Sequence, residues 1–266
     1  SVARLVEGFR REDPPPVPQL AVPVTVPTKC QQTGYKTRCN KAKAIGDLAI
    51  IAYFYLLRVG EYTKPKFYKS NNEKVRATRT VQFRIGDIGF FKNGKILPRN
   101  SPLYKLKSAD SCTLKITNQK NGRMGQTIHH YTTEKKYCPV RAIAKRVHHI
   151  LANGGSVDNL ICDTFLTREE KWYQITRTDM IKQIRQAVTN LNLNNKGIDP
   201  DLVGVHSLRA GGAMALKLQG ESDTTIQKIG RWRGTTFLQY IHNQIAHLSK
   251  TISTKMNTEL EFQNIA

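Results

Sequence analysis

Within 35 residues near the end of the chain, His206, Arg209, Arg231, Trp232, Arg233 and Tyr240 place six side chains suited to handling a phosphate group. Planar guanidinium forks match phosphate oxygens and keep their charge at any relevant pH. An imidazole, an indole N–H and a phenol add hydrogen-bonding groups of graded acidity. Each also has an ordinary explanation. An arginine near a histidine is expected by chance in so basic a chain, and Tyr240 in FLQYI suits a core aromatic at helical spacing.

The composition favours an anionic partner. Lys and Arg number 42 against 20 Asp and Glu, a net charge of +22 over 266 residues with a pI near 10.0. That excess exceeds what solubility requires and points to an extended polyanion. With 39% hydrophobic and 8% aromatic residues the chain can bury a core, so disorder of the whole is excluded. The longest apolar run, Leu48 to Leu57, is about half the roughly 20 residues a membrane span needs, and no secretory signal precedes it. Cys30, Cys39, Cys112, Cys138 and Cys162 are odd in number and scattered, without metal-site spacing, and read as reduced thiols of an intracellular protein.

The elements that must position the phosphate-handling residues follow from periodicity. Six of the 11 prolines lie between Pro14 and Pro27, so residues 1–27 read as an interdomain linker, and the opening at Ser1 reads as cut from something longer. Residues 40–57, NKAKAIGDLAIIAYFYLL, read as a buried helix with Arg58 at its end. Residues 80–132 change to strand patterning, with Asn93-Gly94 and Asn121-Gly122 as hairpin turns. Helices return at Pro139, at DMIKQIRQAVTNL with Thr178 as the cap, at HSLRAGGAMALKLQG with Gly220 as its stop, at DTTIQKIGRW and at TTFLQYIHNQ. The expected architecture is mainly α with a small antiparallel β-sheet, an α+β domain over residues 28–266.

The order of these motifs carries more than any one residue. His206-Ser207-Leu208-Arg209-Ala210-Gly211-Gly212-Ala213, then Ile229-Gly230-Arg231-Trp232, then Phe237-Leu238-Gln239-Tyr240-Ile241, resembles the C-terminal motifs of the tyrosine recombinases, the phage-integrase family. Leu56-Leu57-Arg58-Val59-Gly60-Glu61 is similar to that family's first arginine motif, with an acidic residue three positions on. Asn118 to Gly125 resembles its lysine-bearing β-turn. Cys138-Pro139-Val140-Arg141-Ala142 and the Gly-Arg-Trp block look most like recombinases of Crypton- and DIRS-type eukaryotic mobile elements. The resemblance spans about residues 40–245.

What it implies is a DNA breaking-and-rejoining enzyme with that family's catalytic-domain fold. Arg58 and Arg209 would grip the non-bridging oxygens of a DNA phosphate and stabilise the charge of a pentavalent transition state. Tyr240 would attack phosphorus to give a phosphotyrosine, and with a free pKa of about 10 it needs help with its proton, for which His206 stands as general base or orienting partner. Lys120 would be the general acid for the departing 5′-oxygen, with Lys115 and Lys107 as competing assignments. Trp232 would donate its indole N–H to the phosphate. Glu61 would orient Arg58 or its neighbours, or else be a solvated helix-end carboxylate. Arg123, Arg231 and Arg233 are candidate DNA contacts. One departure stands out: Trp232 precedes Tyr240 by eight positions, where bacterial members place the His or Trp nine before.

The same resemblance implies double-stranded DNA as partner, no metal or nucleotide cofactor, a homo-oligomeric, tetrameric synapse, an N-terminal core-binding domain outside this chain, and a nuclear location if the source is eukaryotic, cytoplasmic or nucleoid otherwise. Ile241, Ile245, Leu248, Ile252, Met256 and Leu260 make an apolar stripe beyond Tyr240 that packs either on its own domain or into a neighbouring subunit. Three other classes compete. A type IB topoisomerase usually carries lysine where His206 stands. A domesticated descendant would bind DNA without cutting it, against which the full set of matched residues argues. A metal-dependent transposase needs a carboxylate cluster, which the 20 acidic residues do not form recognisably.

Overall fold

A computed structural model describes residues 19–70, 73–76, 80–116, 125–135 and 137–232, with Gly234 and Leu238. The described chain is mainly helical with small antiparallel sheets, as its periodicity predicts. Its order is α1 (Thr25–Thr37), α2 (Asn40–Phe54), the single turn α3 (Val59–Tyr62), β1 (Phe67–Ser70), β2 (Glu73–Arg76), β3 (Ile88–Lys92), β4 (Lys95–Leu97), α4 (Leu103–Lys107), β5 (Ser111–Ile116), β6 (Gln126–Tyr131), α5 (Pro139–Ala152), β7 (Asp163–Leu166), β8 (Lys171–Gln174), α6 (Arg177–Asn190), α7 (Val205–Leu218) and α8 (Asp223–Gly230).

Helix α2 is the axis of the core. Leu48, Ile50, Ile51 and Ala52 are fully buried, so no side of its second half is polar, and α1, α5 and α7 pack around it. The strands order β4-β3-β5-β6, with Ile88 opposite Leu114 and Leu114 opposite Ile128, so the apolar alternates face the helices. Asn93 and Gly94 both take positive φ, 49° and 73°, as a two-residue hairpin turn requires. The hairpins β1–β2 and β7–β8 are further pairs that the sequence reading did not single out.

Several boundaries differ from expectation. Residues 19–27, assigned by their prolines to a linker, lie on the domain: Ala21, Val22 and Val26 are buried, and the Leu20 and Val22 amides donate to Leu202 O and Ser207 O at 3.0 and 3.3 Å. Pro27 falls in the first turn of α1, where a missing amide donor costs nothing. The cap of α6 is Thr176 rather than Thr178; its hydroxyl accepts from the Asp179 amide at 3.1 Å while the Asp179 carboxylate accepts from the Thr176 amide at 2.9 Å. Helix α2 ends at Phe54, three residues before the predicted Leu57. Gly220, at φ 87°, stops α7 as expected. All five cysteines are free, and among the described residues no helix is long and apolar enough to cross a membrane.

Candidate active site

The site begins where α2 stops. Leu56 takes a left-handed conformation, φ 47°, and the Leu57 amide donates back to Ala52 O at 3.0 Å, a Schellman-type closure with leucine where glycine is usual. A non-glycine residue there costs roughly 1–2 kcal/mol. The strained turn aims the Leu56 carbonyl at two guanidinium groups: Arg209 Nη1 donates to it at 2.6 Å and Arg231 Nη2 at 3.0 Å. These charge-assisted bonds offset the strain.

Arg58 follows in extended conformation as the N-cap of α3, so it opens a new element instead of closing the helix before it. Three residues on, the Glu61 carboxylate, 2% exposed, accepts from the Arg58 amide at 2.8 Å, from Arg58 Nη1 at 3.4 Å and from Arg231 Nη2 at 2.9 Å. Glu61 is thus buried and bonded to Arg58 rather than solvated at a helix end. Arg58 Nη2 also donates to Arg231 O at 3.2 Å.

Helix α7 brings His206 and Arg209 to the same place. Gly211 and Gly212 allow it, since a Cβ on Gly211 would collide with Val22 O and one on Gly212 with Tyr53 O and Leu56 Cδ2. Arg209 is 3% exposed; besides Leu56 O it donates to Gly230 O, and its guanidinium lies 4.1 Å from the Trp232 ring centroid. The Trp232 ring therefore packs on Arg209.

Arg231 is one of the candidate DNA contacts. It is only 5% exposed, because the left-handed C-cap of α8, φ 60°, turns its side chain inward. Only Nη2 is used, by Leu56 O and Glu61; Nε and Nη1 are buried and have no hydrogen-bond partner among the described residues. Burial, with Arg58 nearby, pushes its pKa down, while Glu61 opposes. The signal that could have found it was spacing: Arg231 stands nine positions before Tyr240, where Trp232 stands eight.

Arg58 and His206 line a cleft of about 780 Å³, together with Thr63, Lys64, Lys66, Gln82 and Arg177 among others. Arg209 and Arg231 are not among its lining residues, and both are tied to the Leu56 carbonyl. His206 is half-buried, and its backbone amide donates to Gln19 Oε1 at 3.1 Å. Burial, then the charges of Arg177 and Arg209, hold its pKa below the usual 6.5, so at neutral pH the imidazole is uncharged and free to accept a proton.

Lys120, Arg123, Arg233 and Tyr240, with the apolar stripe of residues 241–260, lie outside the described residues. The connection from β5 to β6 contains Lys120 and Arg123; the competing Lys115 and Lys107 are exposed, on β5 and at the end of α4. Among the described residues no three His, Cys, Asp or Glu side chains gather to hold a metal. What the centre can do is receive an anion: three guanidinium groups meet one carboxylate in a buried setting where electrostatic attraction is strong.

No protein-family model matches the chain, and no curated protein does. Solved structures that superpose on it include the XerA recombinase, with a TM-score of 0.48 at 12% identity over 91% of this chain and 67% of that one. The Tn1549 transposon integrase in complex with transposon right end DNA superposes with a TM-score of 0.44 at 12% identity, over 89% of this chain and 68% of that one.

Proposed function

We propose that the chain is the catalytic domain of a tyrosine-type site-specific DNA recombinase that mobilises a transposable element of the Crypton or DIRS kind. The observation that supports it best is the convergence of Arg58, Arg209 and Arg231 on the Leu56 carbonyl and Glu61, beside a cleft that carries His206. Arginines from three separate motif-bearing stretches meet at one centre. Two buried donors of Arg231 have no described acceptor, and a phosphate oxygen would supply one.

In this reading Arg58 binds the scissile phosphate at the cleft, and Arg209, stacked on Trp232, and Arg231 complete the positive surround for the pentavalent transition state. The Tyr240 phenol oxygen forms the bond to phosphorus as the bond to the 5′-oxygen breaks. The phenolic proton passes to neutral His206, and the leaving oxygen takes a proton from Lys120. Rejoining reverses these steps with the 5′-hydroxyl of a partner strand. The bond energy stays in the phosphotyrosine, so the scheme needs no ATP and no metal.

Tyr240→Phe tests it. With labelled, nicked suicide substrates in chelator, the wild-type protein should become covalently attached to the 3′ end, and the variant should bind DNA equally but form no adduct. An adduct that survives the substitution, or one carried by Tyr131 or Tyr173, would mean the tyrosine is misassigned. A wild type that binds DNA and never attaches would favour the domesticated binder.

A further inference from the structure

The cleft that holds Arg58 and His206 has more cationic lining than one phosphate needs. Lys64, Lys66 and Arg177 also line it, and no lining side chain is a carboxylate. The side chains of these three make no hydrogen bond or ion pair with any described residue. The acidic groups on the contributing elements are already engaged: Glu61 by Arg58 and Arg231, Asp179 by Lys41 at 2.7 Å and by Thr176. Like charges without a described partner that share a concave wall repel one another and focus a positive potential into it, which a bound polyanion relieves. Gln82, 2% exposed, lines the same cleft with a buried Oε1 that has no described partner. Such an orphaned acceptor needs a donor, which a water at the cleft wall can supply and a phosphate oxygen cannot. The volume, about 780 Å³, lies within the roughly 300–1,000 Å³ of sites that enclose whole small molecules and is more than one phosphate group fills.

We propose that Lys64 and Arg177 form a second phosphodiester subsite beside Arg58, so that the cleft holds two consecutive backbone phosphates of one strand, with Arg177 as the binding residue for the second. The proposal rests on the reading of DNA as substrate. Its mechanical consequence is that the neighbouring phosphate fixes the register of the scissile one, which limits the positions open to the attacking oxygen.

Two short probes separate one phosphate from two: d(TpT), with a single phosphodiester, and d(TpTpT), with two. Both would be titrated into the full chain at low salt while the His206 imidazole resonances are followed, these being identified by their loss in His206→Gln. The wild type should hold d(TpTpT) about tenfold more tightly than d(TpT), the worth of one charge-assisted contact. Arg177→Gln should bring the two probes within about twofold of each other while leaving d(TpT) close to its wild-type affinity, and Arg177→Lys should restore much of the difference. Equal affinities in the wild type, or an undiminished advantage for d(TpTpT) in Arg177→Gln, would overturn the proposal. Should Arg177→Gln fail to fold, the exposed Lys64→Gln serves, and a full advantage retained there is equally fatal. Loss of the strand-transfer reading would appear separately, as absence of a Tyr240 adduct with two-phosphate binding intact.

Discussion

Under the proposed function, the Arg231 guanidinium serves both the fold and the chemistry. Its Nη2 ties the Leu56 carbonyl to Glu61, while Nε and Nη1 have no hydrogen-bond partner among the described residues and, in the proposed reading, await a phosphate oxygen. The two roles can be separated. Glu61→Gln leaves Arg231 without its ion-pair partner among the described residues, with a side chain only 2% exposed, and should destabilise the protein by about 3–5 kcal/mol in urea denaturation. Replacing both partners, Glu61→Gln with Arg231→Met, removes the buried ion pair while Arg209 and Arg58 stay charged beside it, and should recover part of that loss. Covalent attachment to DNA should stay deficient in the double variant. A double variant that is stable and attaches at the wild-type rate would reduce Arg231 to a strut.

At the scale of elements, the site depends on how closely α7 can approach the end of α2. The Cβ missing from Gly212 is the clearance for Tyr53 O and Leu56 Cδ2, so Gly212→Ala must push α7 away from the turn that presents the Leu56 carbonyl. Overpacking of this kind costs about 1–3 kcal/mol, a fall in Tm on the order of 5 °C for a chain of this size. Attachment to DNA should fall more than in a core truncation of equal thermal cost, because the displaced helix carries His206 and Arg209. Equal losses in the two variants would show that the close approach serves stability alone. The same contrast explains what could be read from the chain. The buried helix α2, the Asn93-Gly94 hairpin and the motif of α7 rest on periodicity or on residue types at fixed offsets, and they were legible, as was the relation of Glu61 to Arg58. The inward turn of Arg231 was not, since it depends on α8 closing at a left-handed residue. Nor was the role of the Leu56 carbonyl, because main-chain atoms have no signature of residue type. The proline content of residues 19–27 spoke for local conformation and carried no information about what Val22 and Val26 would pack against.

For the whole molecule, charge sets the terms of binding. Basic side chains outnumber acidic ones by 22, and the buried cluster at Glu61 absorbs only a few of them, so most of the excess belongs to the surface and the cleft. Duplex DNA gripped by such a surface releases counterions as each phosphate is neutralised, and each contact adds about −0.9 to the slope of log K against log salt. If some six to ten phosphates are contacted, affinity should fall roughly 10³–10⁵-fold between 50 and 200 mM salt. Under the proposed function Arg58 acts on one phosphate among these, so Arg58→Ala should lower that slope by no more than about one while abolishing most cleavage. Titrations of the wild type and the variant against one duplex at four or more salt concentrations would measure both. A complex indifferent to salt would contradict the electrostatic origin of binding. A loss of affinity in Arg58→Ala as large as its loss of cleavage would mean that this arginine holds DNA and does nothing particular in the transition state.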